Sequence, residues 1–138
     1  LVAACAETKE AVLQKFDKYQ ITEAAEAVIS LVDTTNKYVN EMAPWSLAKD
    51  PEKMDECAQV LYNILETMRH VSVMIYPFIP NISQSIWEQL SLAGNVSEQT
   101  YSSLEWGGLK AGKIADKESV KPVFLRLDSE LAGDKKKK

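Results

Sequence analysis

Apolar residues recur at steps of three and four over most of the first 90 positions of this chain, and proline interrupts the pattern. Such spacing places apolar side chains on one face of an α-helix. It predicts three long helices, over about residues 3–19, 22–42 and 51–76, and a shorter fourth helix over residues 80–90. Because the connections are brief, we expect an all-α fold: an antiparallel helix bundle with an irregular C-terminal segment.

Capping residues and prolines set the predicted helix ends. Thr22 is the expected N-cap of the second helix, and Asp50 followed by Pro51 is a strong helix start. Pro44 has no N–H and clashes with the preceding turn, so the second helix must end at or just before Ala43. Trp45 therefore lies at a helix terminus, on a turn held by a rigid ring.

Trp45 is the residue whose position most directly suggests a function. A helix terminus is a poor place to bury a large aromatic ring and a good place to present one. Indole stacks well on nucleobases, a contact worth roughly 1–3 kcal/mol per base. The alternative is a capping aromatic that covers the end of the bundle. For Trp87 and Trp106 we expect structural roles, on the apolar side of the fourth helix and in the loop before Gly107.

The pattern changes after Gly94, where glycine is scattered and no period is sustained. We therefore divide the chain into a helical bundle (residues 1–92), a C-terminal segment that packs back on it (93–130) and a disordered basic tail (131–138). Residues 123–127 form a short apolar run, either strand-like or docked in extended form. The long helices leave part of the first and third uncovered, and we expect a further helix, upstream of Leu1, to cover them.

Charge limits how this chain can bind nucleic acid. The 138 residues carry a net charge of -4, and four of the positive charges are the terminal lysines, so the body is more acidic still. Non-specific binding of nucleic acid depends on neutralising phosphates with Lys and Arg. Any contact with RNA must therefore be local and must rely on stacking and hydrogen bonds. No stretch approaches the roughly 20 apolar residues that span a bilayer.

The residue types needed for catalysis or metal binding are sparse. The chain has no glycine-rich phosphate loop, one histidine, His70, and two cysteines, Cys5 and Cys57. We expect both thiols to be reduced core residues, and His70 to lie within the third helix as a boundary residue between core and surface. One histidine and two distant cysteines do not make a zinc site. The carboxylates are expected on solvated helix surfaces, so we predict no catalytic site, no metal site and no cofactor here.

Residues 36–45 read NKYVNEMAPW, which resembles the helix end of the anticodon-binding domain of methionyl-tRNA synthetase. The pattern of that family is close to N-[KR]-Y-[VI]-[DE]-x-x-x-P-W, followed by a lysine that matches Lys49. Residues 61–65 and 77–80 are similar to the next helix and its Pro-Phe-x-Pro bend. Residues 108–112 and 121–127 are similar to the closing segment, so the resemblance covers nearly the whole chain.

The resemblance implies a domain that reads the CAU anticodon of methionine tRNA. It implies that Trp45 stacks on an anticodon base and that Pro44 fixes the ring. Asp33 matches an acidic position that disfavours wrong anticodons by repelling phosphates and mispaired groups. Asn36 matches an asparagine that faces the same way, and Asn40 stands where a second acid often occurs.

For the intact protein the resemblance implies an ATP-dependent methionine–tRNA ligase. The implied partners are methionine tRNA and a catalytic domain of the same chain, with no membrane. The implied compartment is the cytoplasm, although organellar members share the domain. The catalytic signatures of the family, His-Ile-Gly-His and Lys-Met-Ser-Lys-Ser, and its Asn-x-x-Asn-Arg helix do not occur in these residues. We therefore expect this chain alone to bind methionine tRNA weakly or not at all.

Two other functions are compatible with the same sequence. The chain could be a helical module that buries an open face against a protein partner, or the anticodon domain of a sister class I synthetase. A pure interaction module does not need a long segment ending in Pro-Val-Phe-Leu-Arg-Leu, and the sister enzymes do not usually have the Pro-Trp pair. The lysine tail is either a solvating terminus or the start of a linker to a further tRNA-binding module.

Overall fold

Three long helices and one shorter helix form the framework, as the apolar periodicity predicted. The structure is a computed structural model that describes residues 1–110 and 120–123, in which no strand occurs. The α-helices are α1 (Val2–Asp17), α2 (Ile21–Met42), α3 (Pro44–Leu47), α4 (Met54–Ile75) and α5 (Pro80–Gln89). Short 3-10 turns occupy Pro51–Lys53, Val96–Glu98 and Tyr101–Ser103. All but the first residue of the apolar run at residues 123–127, and the whole tail at 131–138, lie outside the described residues.

Two helix starts differ in detail from the prediction. Thr22 is not the N-cap of α2, because the helix begins at Ile21 and Gln20 occupies the cap position without a side-chain bond. The chain reverses at Tyr19, whose φ of 58° is left-handed, and this reversal starts the helix early. Asp50 does cap, since its Oδ1 accepts the N–H of Glu52 at 3.1 Å, but it caps the 3-10 turn that precedes α4.

Helix α2 runs antiparallel to α4. The hydroxyl of Tyr38 accepts a hydrogen bond from Asn63 Nδ2 at 3.1 Å. Just past the end of α2, the carbonyl of Pro44 accepts one from Cys57 Sγ at 3.5 Å. Residue numbers rise along one helix as they fall along the other, so the two helices run in opposite directions.

Helix α1 lies against the C-terminal half of α4 and runs parallel to it. Cys5 Sγ lies 3.7 Å from Thr67 Oγ1, and the rings of Phe16 and Phe78 stack with centroids 5.8 Å apart. The long helices therefore alternate in direction along the chain, as an antiparallel bundle requires. Buried side chains of all these helices form the core, among them Val12, Val28, Leu31, Met74 and Trp87. No helix among the described residues is long and apolar enough to cross a membrane.

A buried ion pair on α4 contradicts the expectation that the carboxylates lie on solvated surfaces. Glu66 is fully buried and accepts two hydrogen bonds from Arg69, from Nη2 at 2.7 Å and from Nε at 3.0 Å. His70 is also buried rather than at a boundary, and its ring lies 5.9 Å from that of Trp106. Both expectations were wrong because a later part of the chain folds over these residues.

That later part is the return segment (residues 103–109), and the ion pair holds it on α4 by its backbone. The N–H groups of Gly107, Gly108 and Leu109 donate to the Glu66 carboxylate at 2.8–2.9 Å. Arg69 donates to the carbonyl of Glu105 at 2.7 Å and to that of Ser103 at 3.3 Å. Each charged side chain is thus satisfied by the backbone of the return segment, which is what allows both charges to be buried.

The close approach of the return segment to α4 requires a glycine at position 108. A Cβ added to Gly108 would lie 2.5 Å from Cζ and Nη2 of Arg69. We expect Gly108→Ala to lower the free energy of unfolding by about 1–3 kcal/mol, because the buried guanidinium is held by its own hydrogen bonds and cannot move away. Urea unfolding measures this, with Ser97→Ala at an exposed site as control. An unchanged midpoint would contradict the packing described.

Candidate functional site

Three exposed polar side chains share one face of α2 near its C-terminal end. Asp33, Asn36 and Asn40 are separated by three and four positions, the spacing that aligns side chains along a helix. The set spans about 10 Å along the helix axis. Within the part of the chain that the structure describes, no side-chain hydrogen bond engages any of the three. Their carboxylate and amide groups are therefore available to a ligand on that face.

The chain turns sharply at the α2–α3 corner (residues 42–45). Helix α2 ends at Met42, and Ala43 adopts φ 42° and ψ 61°, in the left-handed region. Pro44 is the first residue of α3, a position that suits its fixed φ and missing N–H. The left-handed conformation costs a residue with a Cβ roughly 1–2 kcal/mol. Sequence reasoning located the end of α2 but did not predict α3, which is a single turn.

The corner buries Pro44 and presents Trp45. Pro44 packs against α4 and is buried, whereas Trp45 is 54% exposed. Adjacent residues on a helix point in directions about 100° apart, so α3 can place one ring inside and the next outside. This exposure agrees with the expectation of a presented indole. Among the described residues, no aromatic contact or hydrogen bond joins Trp45 to Asp33, Asn36 or Asn40, which connect to it through the backbone of α2.

A cavity of about 340 Å³ lies between α1, α4 and the return segment, with Cys5 and His70 in its wall. Burial raises the pKa of the Cys5 thiol, which makes it a poor nucleophile. Glu66 beside His70 already accepts five hydrogen bonds. These groups are arranged to hold the fold together. In residues 1–110 and 120–123, no three His, Cys, Asp or Glu side chains are placed to hold a metal ion.

Comparisons with known proteins relate this chain to tRNA ligases. Residues 1–124 match the family described as the anticodon-binding domain of tRNA ligase. The chain is 39% identical over 131 residues to a methionine–tRNA ligase of Clostridium tetani, a match that covers 94% of this chain and 20% of the relative. It is 44% identical over 115 residues to that of Clostridium perfringens, covering 83% of this chain and 17% of the relative.

A third relative, the methionine–tRNA ligase of Bacillus subtilis, is 32% identical over 130 residues, covering 94% of this chain and 19% of the relative. The chain therefore spans about a fifth of the length of the curated relatives it matches. The family match extends over the helical bundle, the α2–α3 corner and the return segment. With so much of its length matched, the chain belongs to the family of anticodon-binding domains of tRNA ligases.

Proposed function

We propose that this chain is the anticodon-reading domain of a methionine–tRNA ligase and that it recognises the CAU anticodon by stacking Trp45 on an anticodon base. The observation that carries the proposal is a half-exposed indole on a one-turn helix, next to a left-handed residue and a buried proline. The names of the relatives support methionine as the amino acid. The Pro44–Trp45 pair, not usual in the sister enzymes, favours the same choice.

In this proposal, the polar side chains on α2 distinguish the CAU anticodon from other anticodons. Asn36 and Asn40 can each donate and accept hydrogen bonds, as reading a base edge requires. Asp33 is acceptor-only when ionised, so it repels phosphates and any base that presents an acceptor to it. Since the whole chain is acidic, stacking and these local hydrogen bonds must provide the affinity.

In the intact enzyme this domain would hold the anticodon end of methionine tRNA while the remaining polypeptide carries out the reaction. That reaction joins methionine to the tRNA with the consumption of ATP. The catalytic residues and the ATP site belong to the part of the protein outside this chain, which would be its partner along with the tRNA. The residues of this chain then act by binding and orienting RNA.

The direct test on this chain is an NMR titration with an RNA stem-loop that carries the CAU anticodon. We expect the indole Nε1–H signal of Trp45 to shift, with a dissociation constant of about 0.1–1 mM, because one stacked base and a few hydrogen bonds provide only roughly 4–5.5 kcal/mol. Trp87 and Trp106 are internal controls, since Trp87 is buried and Trp106 packs on His70.

A stem-loop with an unrelated anticodon is the matched RNA control and should shift the Trp45 signal less. Equal shifts with both RNAs would contradict the proposed function and favour a protein-interaction role. The same conclusion would follow if the Trp45 signal never moved and full-length Trp45→Ala charged tRNA normally. Submicromolar, anticodon-specific binding would instead contradict our expectation that this chain alone binds weakly.

A further inference from the structure

A single residue, Ala43, joins α2 to α3. Its N–H donates to the carbonyl of Val39 at 3.0 Å, which completes the last turn of α2. Its carbonyl accepts from the N–H groups of Ser46 and Leu47, at 2.8 Å and 3.3 Å, which begins α3. Because no other residue lies between the helices, the φ and ψ angles of Ala43 set the direction in which α3 leaves α2. They therefore set the position of Trp45.

The conformation of Ala43 is strained, and its neighbours impose it. Proline disfavours the right-handed helical region for the residue before it, so α2 cannot continue through position 43. The left-handed region at a helix end is usually occupied by glycine, which has no Cβ to hinder it. Here alanine occupies that region, with φ 42°. Strain of this kind persists only where the surrounding structure fixes it, and it is concentrated at functional sites.

Helix α4 holds the corner and the preceding turn of α2 from the opposite side, through one hydrogen bond to each. Cys57 Sγ donates to the carbonyl of Pro44, and Asn63 Nδ2 donates to the hydroxyl of Tyr38. On each side the two contact residues are six positions apart, so the bonds are spaced by about 9 Å. Cys57 and Pro44 are both buried, so water does not compete for their contact. The carbonyl that immediately precedes Trp45 is thus held on α4.

We propose that Ala43 is a positioning residue for anticodon recognition, with Cys57 as its support on α4; this inference rests on the proposed function. The left-handed Ala43 fixes Trp45 in the orientation for stacking before RNA binds. A ring that is already ordered loses little freedom on binding, which raises affinity. If the corner sampled several directions, the apparent affinity would fall by the fraction of molecules that present the ring correctly.

Ala43→Gly tests this inference, because glycine allows the left-handed conformation without imposing it. We expect the heteronuclear NOE of the Trp45 indole to fall in the free protein while that of Trp87, whose Nε1 donates to the carbonyl of Ala93 at 3.2 Å, stays constant. The dissociation constant for the CAU stem-loop should rise by about threefold to tenfold. In the full-length ligase the KM for tRNA should rise by the same factor, with ATP–pyrophosphate exchange unchanged.

Ala25→Gly is the matched control, since it makes the same substitution within α2, far from the corner. It lowers helix stability, yet it should leave RNA affinity and the Trp45 NOE unchanged. Cys57→Ala should weaken RNA binding as Ala43→Gly does. Cys57→Ser keeps a hydrogen-bond donor at that position, so it should bind RNA with the affinity of the wild type.

The outcomes separate this inference from the function on which it rests. If Trp45→Ala weakens stem-loop binding but Ala43→Gly binds as tightly as the wild type, with an equally ordered indole, the positioning role is wrong and the function stands. If the CAU stem-loop does not shift the Trp45 signal of the wild type and Trp45→Ala charges tRNA normally in the full-length ligase, the proposed function itself is wrong.

Discussion

On the proposed function, Trp45→Ala in the full-length protein should lower kcat/KM for tRNA charging by about 5-fold to 150-fold and leave methionine activation unchanged. The range corresponds to the loss of one stacked base, roughly 1–3 kcal/mol, at about 1.4 kcal/mol per factor of ten. The proposal places methionine activation outside this domain, so ATP–pyrophosphate exchange measured without tRNA is the internal reference. Charging kinetics across a range of tRNA concentrations give the effect directly.

The stability of the Trp45→Ala variant distinguishes a role of Trp45 in RNA recognition from a role in packing the core. Because Trp45 is 54% exposed, truncation removes little buried surface, and the free energy of unfolding should fall by less than about 1.5 kcal/mol. Trp87→Ala is the matched control: that ring is only 4% exposed, and its removal should cost about 3–5 kcal/mol. A large loss of stability in Trp45→Ala, with normal charging per folded molecule, would make Trp45 a core residue.

The long helices could be predicted because their signals are local. The apolar stripes of α2 and α4 repeat over 22 residues each, and Pro44 and Pro77 lie within two residues of where those helices end. The exposure of Trp45 followed from the same reasoning, since a proline directly before it rules out a place inside α2. A structural feature can be recognised in the sequence when its pattern repeats many times along the chain or when it depends only on a neighbouring residue.

The short helix α3 and the conformation of Ala43 could not be predicted in the same way. Four residues make about one turn, which is too short to display a period. Proline at position 44 disfavours the right-handed region for Ala43, but the broad extended region and the left-handed region both stay allowed. The packing of Pro44 on α4 selects the left-handed region over the extended one. That contact is between residues distant in sequence, so the residues around Ala43 do not reveal it.

The burial of Glu66 could not be predicted for a related reason. Arg69 and His70 follow Glu66 at three and four positions, which is also the pattern of an ordinary surface ion pair on a helix. They are buried because the return segment, which begins 34 residues after Arg69, lies over them. The glycines at 107 and 108 mark that segment as a loop, but nothing local identifies the helix on which it docks.

Glu66→Ala should lower the free energy of unfolding by about 3–5 kcal/mol. It leaves the buried guanidinium of Arg69 without its counterion and removes the acceptor for the N–H groups of Gly107, Gly108 and Leu109. Since small domains are stable by roughly 5–15 kcal/mol, much of the total would be lost. Urea unfolding at pH 7 measures it, with the exposed Glu26→Ala as a control expected to stay within about 0.5 kcal/mol.

The pH dependence of the stability difference between wild type and Glu66→Ala shows whether the ionised carboxylate is the cause of that difference. Burial alone would raise the pKa of Glu66, but contacts from His70, Arg69 and the N–H of Gly108 outweigh it and hold this pKa well below its usual range. A carboxyl whose pKa is lower in the folded state stabilises the fold above its unfolded pKa of about 4.3, and that contribution is lost as the pH falls below this value. The stability gap between wild type and Glu66→Ala should therefore narrow on acidification from pH 5 towards about pH 3. A gap that stayed constant over this interval would mean that the cost of the substitution comes from lost packing rather than from the ionised carboxylate that holds the return segment.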